Sequence, residues 1–418
     1  MSTLLFISLF ITFIHLTSSS QPKLIIELFR HGARGPLHHK NDPYWIGKEG
    51  QLTEVGRAQH LILGSSLIQR YPHLKTVLKD PSKLYLQSTN FNRTIESLKF
   101  HLWGIYHGEN LPLNDLNIYD PQFYAKYIKH KAYEYFQKYD ISHILGFAPA
   151  PIKINPLSQD YELLTLEYFA CPKTDLLLGS EELDDFDFIM SLIGHQIHYH
   201  TKQSLKPEEI YALYDVYYAD LYEGRKNSAE DISNIWNHLK YGAEYFVTHK
   251  RWGSELQRKL YGMPLFQKII DFLEKGSAGF LPYDLVILSA HDITVFNLLT
   301  AFEIAHPNCF VTKMKGELAG NHCRYPNFAS QLLIELWERD GETKIKILYE
   351  KEVVNLCKTA DEMCSLSDLK LLFTKNFGSI KMDDILHHCG KIQCNLKKED
   401  SDNLNKDFSI CESIDTDW

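Results

Sequence analysis

The chain has 418 residues, of which 44% are hydrophobic and 23% are charged, and its formal net charge is −9. These fractions are ordinary for a globular protein, but the length exceeds one usual core, so we expect two domains or one domain with a large insertion. The negative charge argues against a nucleic-acid binder, which normally carries a basic face. A site for an anion would therefore need a local cluster of basic residues.

Residues 1–20 are predicted to be a signal peptide. The apolar run Leu4–Ile14 is shorter than the roughly 20 residues that a membrane-spanning helix needs, and the small residues Ser18–Ser20 follow it. We expect cleavage near Gln21 and a polar, acidic tail over residues 396–418. The mature protein would have no membrane anchor and would be secreted or held in the lumen of a lysosome or vacuole.

The first zone, residues 21–110, predicts alternating strands and helices. Leu24–Phe29 is a short apolar run, typical of a strand covered on both faces. Leu52–Arg70 is predicted to be helical and to end before a proline. A second strand is expected at Lys83–Gln87, followed by a helix whose apolar face runs from Ile95 to Ile105.

The middle zone, residues 111–273, is rich in tyrosine and phenylalanine and contains few strand signals. It is predicted to be an inserted helical cap domain, with a helix over Pro207–Tyr222.

The third zone, residues 274–395, returns to the alternating strands and helices of the first zone. A strand is expected at Tyr283–Leu288, and Asp340-Gly341 predicts a hairpin between two later strands.

The predicted fold is therefore α/β: a mixed, mainly parallel sheet flanked by helices, with the helical cap inserted. Residues 21–110 and 274–395 would form one discontinuous catalytic domain around the cap. Ligands of open α/β sheets bind at the carboxyl ends of the strands, next to helix N-termini. Six polar residues would converge there, namely Arg30, His31, Arg34, Arg93, His291 and Asp292.

Three arginines so close together require a negative partner. Guanidinium groups pair bidentately with phosphate oxygens, so a tetrahedral phosphate is the expected ligand. The arginines would lower the pKa of His31 and keep it neutral, able to attack phosphorus and form a phosphohistidine. Asp292 would give a proton to the leaving alkoxide, and an acidic pH optimum follows. Gly32 would let the backbone turn close to the ligand.

Eight cysteines indicate disulfides in an oxidising compartment. Close spacing favours the pairs Cys357–Cys364 and Cys309–Cys323, and spacing leaves the partners of Cys171, Cys389, Cys394 and Cys411 open. A zinc site is the rival interpretation, but there is no C-x-x-C pair. One N-glycosylation sequon begins at Asn92, directly before Arg93.

Several motifs resemble the histidine acid phosphatase family, branch 2 of the histidine phosphatase superfamily, over roughly residues 24–389. They are Arg30-His31-Gly32-x-Arg34-x-Pro36, Gly50-x-Leu52-Thr53, Ser88-Thr89 with Arg93-Thr94, Ser289-Ala290-His291-Asp292-x-Thr294 and Cys171-Pro172. The resemblance implies a phosphoglycerate mutase-like fold and an acid phosphatase that needs no metal or other cofactor.

The resemblance also implies a role for each of the six polar residues. His31 would be the nucleophile and Asp292 the proton donor, and phosphate would be bound by Arg30, Arg34, Arg93 and His291. It further implies a Cys171–Cys389 disulfide and a homodimer.

One position departs from the family's pattern. Asn90 stands where members usually have Asp, which puts full activity in doubt.

The sequence also allows other interpretations. Arg30, His31 and Arg34 could instead form a basic cluster on a surface loop. Asp292 could be an ordinary helix cap with no catalytic role. His195 and His198 could share a helix face and bind a metal, although solvated histidines are more common there. Within the family, a phytase or a lysophosphatidate phosphatase is an alternative, and the His291-Asp292 pair favours a general phosphomonoesterase over a phytase. A catalytically weak, secreted anion-binding relative is the alternative outside enzymes.

Overall fold

A computed structural model of the protein describes residues 21–37, 42–108, 136, 139–164, 180–225, 234–317, 323–378 and 380–389. Within these residues, eight strands form one sheet. In chain order they are β1 (Leu24–Arg30), β2 (Leu84–Ser88), β3 (Ile152–Ile154), β4 (Leu285–Ala290), β5 (Gln331–Arg339), β6 (Glu342–Tyr349), β7 (Glu352–Val353) and β8 (Cys364–Ser365).

The strand order is β3-β2-β4-β1-β5-β6-β7, and β8 pairs with β6. The four strands from β3 to β1 are parallel to one another, whereas β5 runs antiparallel to β1 and begins an antiparallel half. The sheet is thus mixed, as predicted, and the parallel strands are one half of it. The hairpin expected at Asp340-Gly341 joins β5 and β6.

Register places the ends of three parallel strands side by side. Arg30 at the end of β1 pairs with Ala290 of β4, and Ser88 at the end of β2 pairs with Ser289 of β4. Every residue of β1 and β4 is buried, which explains why both are almost continuously apolar. The loops that follow these strands therefore meet at one edge of the sheet.

Twelve α-helices lie within the described residues. They are α1 (Glu54–Arg70), α2 (Leu74–Val77), α3 (Asn92–His107), α4 (Ile141–Gly146), α5 (Ser180–Thr201), α6 (Pro207–Glu223), α7 (Trp236–Trp252), α8 (Glu255–Ser277), α9 (Asp292–Ala301), α10 (Asn308–Met314), α11 (Leu366–Phe377) and α12 (Met382–His388).

The helices cover both faces of the sheet. Helices α1 and α3 pack against each other and against the face of β1 that carries Phe29. Helix α8 covers the other face, where Gly276 lies against Leu24 and Leu336. An α/β fold with a helix-flanked mixed sheet is therefore confirmed.

Helices α5 to α8 lie between β3 and β4 in the sequence, within or adjoining the range assigned to the cap. Strand β3 also falls inside residues 111–273, and it pairs with β2. That range therefore contributes an edge strand to the sheet as well as helices. The division into a catalytic domain and a cap stays a prediction.

Two of the expected disulfides are present, Cys309–Cys323 and Cys357–Cys364. Cys389 is disulfide-bonded as well, and its partner lies outside the described residues because the other described cysteines are already paired. Cys171, Cys394, Cys411, the predicted signal peptide and the tail also lie outside them. Among the described helices, none has the length and apolar character to cross a bilayer.

Candidate active site

The loop after β1 is closed against the start of α1. Thr53 caps this helix by accepting a hydrogen bond from Gly56 N at 3.2 Å, and it also donates to Ala33 O. A Cβ on Gly32 would lie 2.3 Å from Gly56 O. Glycine is therefore required at residue 32 because the loop touches the helix backbone. The reason predicted from the sequence, a close approach of the backbone to the ligand, stays a prediction.

Five of the six predicted site residues line one cavity of about 330 Å³. They are His31, Arg34, Arg93, His291 and Asp292. Arg30 does not line it. Its guanidinium is buried and pairs with Asp292, Nη2 to Oδ2, at 2.7 Å. The strand ends thus bring all six predicted site residues together, and Arg30 contacts Asp292 from outside the cavity lining.

His31 presents a defined nitrogen to this cavity. Its Nδ1 lies 2.8 Å from the carbonyl oxygen of Gly32, so a proton on Nδ1 donates there and the lone pair is left on Nε2. Burial, followed by the charges of Arg93 and Arg30, holds the pKa of His31 well below its usual value. The neutral imidazole was predicted from the arginines, but burial contributes more.

His291 is oriented by a threonine pair that the sequence argument did not single out. Its Nε2 lies 2.9 Å from Thr89 Oγ1, which in turn lies 2.9 Å from Thr94 Oγ1. Burial and the charge of Arg93 lower the pKa of His291 well below its usual value. Both threonines belong to the motif Ser88-Thr89 with Arg93-Thr94, and their role depends on β2 and β4 being adjacent.

Arg30 is held on three sides. Besides Asp292, it donates from Nη1 to Pro326 O at 2.7 Å, and its guanidinium lies 4.2 Å from the centre of the Phe328 ring. Burial would lower the pKa of Arg30, but Asp292 raises it above its ordinary value. Arg30 therefore remains charged and fixed.

Arg34 is paired with a residue from a distant helix. Its Nη1 and Nη2 lie 3.0 Å from Oδ2 and Oδ1 of Asp215, on α6. Burial would lower the pKa of Arg34, but Asp215 raises it above the ordinary value. No sequence motif predicts a role for Asp215, because only the packing of α6 brings it next to the loop that carries Arg34.

Arg93 is the least compensated cation of the cavity. Within the described residues it forms no ion pair, and its buried Nε has no hydrogen-bond partner. Its guanidinium lies 4.5 Å from the centre of the Phe91 ring. Burial and then Arg34 lower its pKa to about 9.

The Nε atoms of Arg30 and Arg34 are also buried without a partner. Buried donors of this kind normally have one, so the arrangement suits a bound anion.

Away from the predicted site residues the cavity wall is largely apolar and aromatic. It is formed by Leu164, Tyr211, Phe246, Val247, Ile293 and Tyr325. Tyr211 comes from α6, the helix that was predicted over Pro207–Tyr222. Arg251 is a further cation in this wall, and its Nη1 donates to Val247 O.

The remaining candidate residues lie outside the cavity. Asn90 and Asn92 are exposed at the start of α3, so Asn92 and Arg93 point to different environments. His195 and His198 are exposed on α5. No group of three or more potential metal ligands occurs among the residues that the structure describes. Use of the glycosylation sequon stays a prediction.

The family model of the histidine phosphatase superfamily (branch 2) matches residues 19–350. The chain belongs to this family. Prostatic acid phosphatase of Rattus norvegicus is 25% identical over 355 residues, covering 80% of this chain and 79% of the relative. Human lysosomal acid phosphatase is 23% identical over 332 residues, covering 73% and 70%.

Solved structures share the fold at low identity. The Bifidobacterium longum multiple inositol polyphosphate phosphatase in complex with phosphate has a TM-score of 0.59 at 11% identity, covering 87% of this chain and 94% of that one. The phytase from D. castellii has a TM-score of 0.53 at 11% identity, covering 88% and 82%. At these identities the likeness establishes the fold alone.

Proposed function

We propose that the protein is an acid phosphatase that hydrolyses phosphate monoesters through a phosphohistidine intermediate. The proposal depends mainly on one observation: the neutral imidazole of His31 and the guanidinium of Arg93, which has no ion pair among the described residues, line the same cavity. His31 has its Nδ1 committed to Gly32, and Arg93 has no ion pair among the described residues. A phosphate between them would satisfy the arginine and face the nucleophile.

The reaction would proceed in two steps. His31 Nε2 attacks phosphorus, the bond to the ester oxygen breaks, and Asp292 transfers its proton to the leaving alkoxide. Asp292 then takes a proton from water, whose oxygen attacks phosphorus and breaks the N–P bond. Inorganic phosphate leaves and His31 is regenerated. The guanidiniums and His291 would stabilise charge on the equatorial oxygens in both steps.

The cavity wall supports a substrate with one phosphate on an apolar or aromatic leaving group. Beyond the phosphate-binding groups it is mainly aliphatic and aromatic, with Arg251 as a further cation. We place the protein in the secretory route, a proposal supported by its disulfides and by its similarity to a lysosomal acid phosphatase.

Hydrolysis of 4-nitrophenyl phosphate at about pH 5 by the wild type and by His31→Ala tests the proposal. We expect activity in the wild type only, and an acid-labile phosphoryl group on His31 after rapid quenching. A folded but inactive wild type would instead support the anion-binding alternative. A panel with inositol hexakisphosphate and a lysophosphatidate separates the phytase and lipid phosphatase alternatives.

A further inference from the structure

We propose that Asp215 is a positioning residue of the phosphate site and acts through Arg34, an inference that rests on the proposed phosphatase function. Asp215 is 5% exposed and lies on α6, 181 positions along the chain from Arg34. Its two carboxylate oxygens accept from the two terminal nitrogens of Arg34, each at 3.0 Å. Two parallel hydrogen bonds fix the rotation of a guanidinium as well as its distance.

The pairing decides which donors of Arg34 are left for a ligand. Nη1 donates to Asp215 and to Gly35 O at 3.0 Å, so both of its N–H groups are used. Nη2 donates to Asp215 through one N–H, and Nε is buried without a partner. The free edge of the guanidinium is therefore the one between Nε and Nη2. Asp215 thereby selects the pair of N–H groups that can bind phosphate oxygens.

The same carboxylate also holds the loop that carries Arg34. Asp215 Oδ2 accepts from the backbone N–H of Leu37 at 2.7 Å, and Leu37 lines the cavity together with Arg34. One carboxylate thus holds both the backbone at Leu37 and the side chain of Arg34. A small shift of α6 would move the phosphate-binding edge, and such displacements are costly for catalysis.

Asp215 also sets the charge of the site. The guanidiniums of Arg30, Arg34, Arg93 and Arg251 and the carboxylates of Asp215 and Asp292 leave two net positive charges when both histidines are neutral. Asp215→Asn would keep the size of the side chain, remove its charge and place an amide N–H₂ against the arginine donors. The expected damage is therefore to the orientation of Arg34.

Asp220 provides a matched control. It lies on the same helix, is 1% exposed, and accepts from Trp45 Nε1 at 2.9 Å and from Arg225 Nη1 at 2.9 Å. It therefore joins α6 to the same long loop after β1, but it is not one of the residues that line the cavity. Asp220→Asn weakens the contact between helix and loop without touching Arg34.

The test is a double-mutant cycle on kcat and KM for 4-nitrophenyl phosphate, with Tm measured for each variant. Asp215→Asn is expected to lower kcat/KM by about 10- to 100-fold, mostly in kcat, because the misplaced arginine acts on the transition state. Asp220→Asn is expected to stay within about threefold of the wild type. In an Arg34→Gln background, Asp215→Asn should add less than about twofold, because its partner is already gone.

Equal losses in Asp215→Asn and Asp220→Asn would overturn the proposal, as would the same factor for Asp215→Asn in both backgrounds. If Asp215→Asn does not fold, Asp215→Glu replaces it in the cycle, since it keeps the charge but moves the carboxylate. That variant should lose about 3- to 10-fold, and only while Arg34 is present. A folded wild type without activity overturns the proposed function itself, whereas an active wild type with additive effects overturns this inference alone.

Discussion

Arg30 Nη2 lies 2.7 Å from Asp292 Oδ2, so the residue proposed as proton donor is held in an ion pair. Burial favours its neutral form, but Arg30 and Arg34 outweigh burial and keep the pKa of Asp292 below its ordinary value. A donor must carry a proton. We infer that substrate phosphate, by offsetting the arginines, raises this pKa and prepares the acid only in the complex.

Replacing Asp292 by Asn should affect substrates according to their leaving groups. An alkyl phosphate leaves as a strongly basic alkoxide and needs the proton, so we expect the rate constant of phosphoenzyme formation to fall by about 10²- to 10⁴-fold. A 4-nitrophenyl phosphate leaves as a stable anion and should lose much less. Quenched-flow measurement of phosphoenzyme formation on both substrates checks this. Equal losses on the two would contradict a role in leaving-group protonation.

The pH profile should have its maximum on the acid side. The pKa of His31 lies well below its usual value, so this nucleophile stays neutral as the pH falls through about 6.5, the ordinary histidine pKa. Activity is lost as the pH rises through the pKa of Asp292, because the donor loses its proton.

Since phosphate raises that pKa in the complex, the alkaline limb of kcat should lie at higher pH than that of kcat/KM. Steady-state rates from about pH 3 to about pH 8 measure both limbs. If the alkaline limbs of kcat and kcat/KM coincide, bound phosphate does not raise the pKa of Asp292.

Arg93 is expected to lower the free energy of unfolding while it contributes to phosphate binding. Its pKa of about 9 is below the ordinary arginine value, so folding penalises the charged form at every pH below about 9. Arg93→Gln is therefore expected to raise the free energy of unfolding by on the order of 1 kcal/mol without phosphate, and to abolish the rise in Tm that phosphate causes.

Thermal melts with and without inorganic phosphate measure both effects. Arg57→Gln is the control, since Arg57 is paired with Glu96 at 3.0 Å and lies outside the cavity lining. It should leave the phosphate effect intact. An Arg93→Gln protein that phosphate still stabilises would contradict the role of Arg93.

Gly32→Ala should destabilise the fold together with the site. The new methyl group would lie 2.3 Å from Gly56 O, so the loop or α1 must move, at a cost of about 1–3 kcal/mol by the scale of overpacked sites. Gly146→Ala is the control, because nothing lies within 4 Å of its Cβ position. Chemical denaturation of both proteins gives the comparison. A Gly32→Ala protein as stable as Gly146→Ala would show that the contact is relieved at little cost.

Local signals in the sequence located much of the fold. The strand at Leu24–Arg30 follows from an apolar run, and the end of the helix at Arg70 follows from the proline at residue 72. The hairpin at Asp340-Gly341 has the same origin. Strand β3 was not expected, because its three residues carry too little pattern and gain their pairing from β2.

The sequence by itself determined the six residues of the candidate site and their meeting place, because strand ends in a parallel sheet share one edge. Only the tertiary structure decided how they are supported. Asp215 is far from Arg34 in sequence, Thr89 reaches His291 across adjacent strands, and Arg30 stands behind Asp292. Such contacts depend on packing between distant segments of the chain. The pKa of His31 is lowered mainly by burial, and burial exists only after folding.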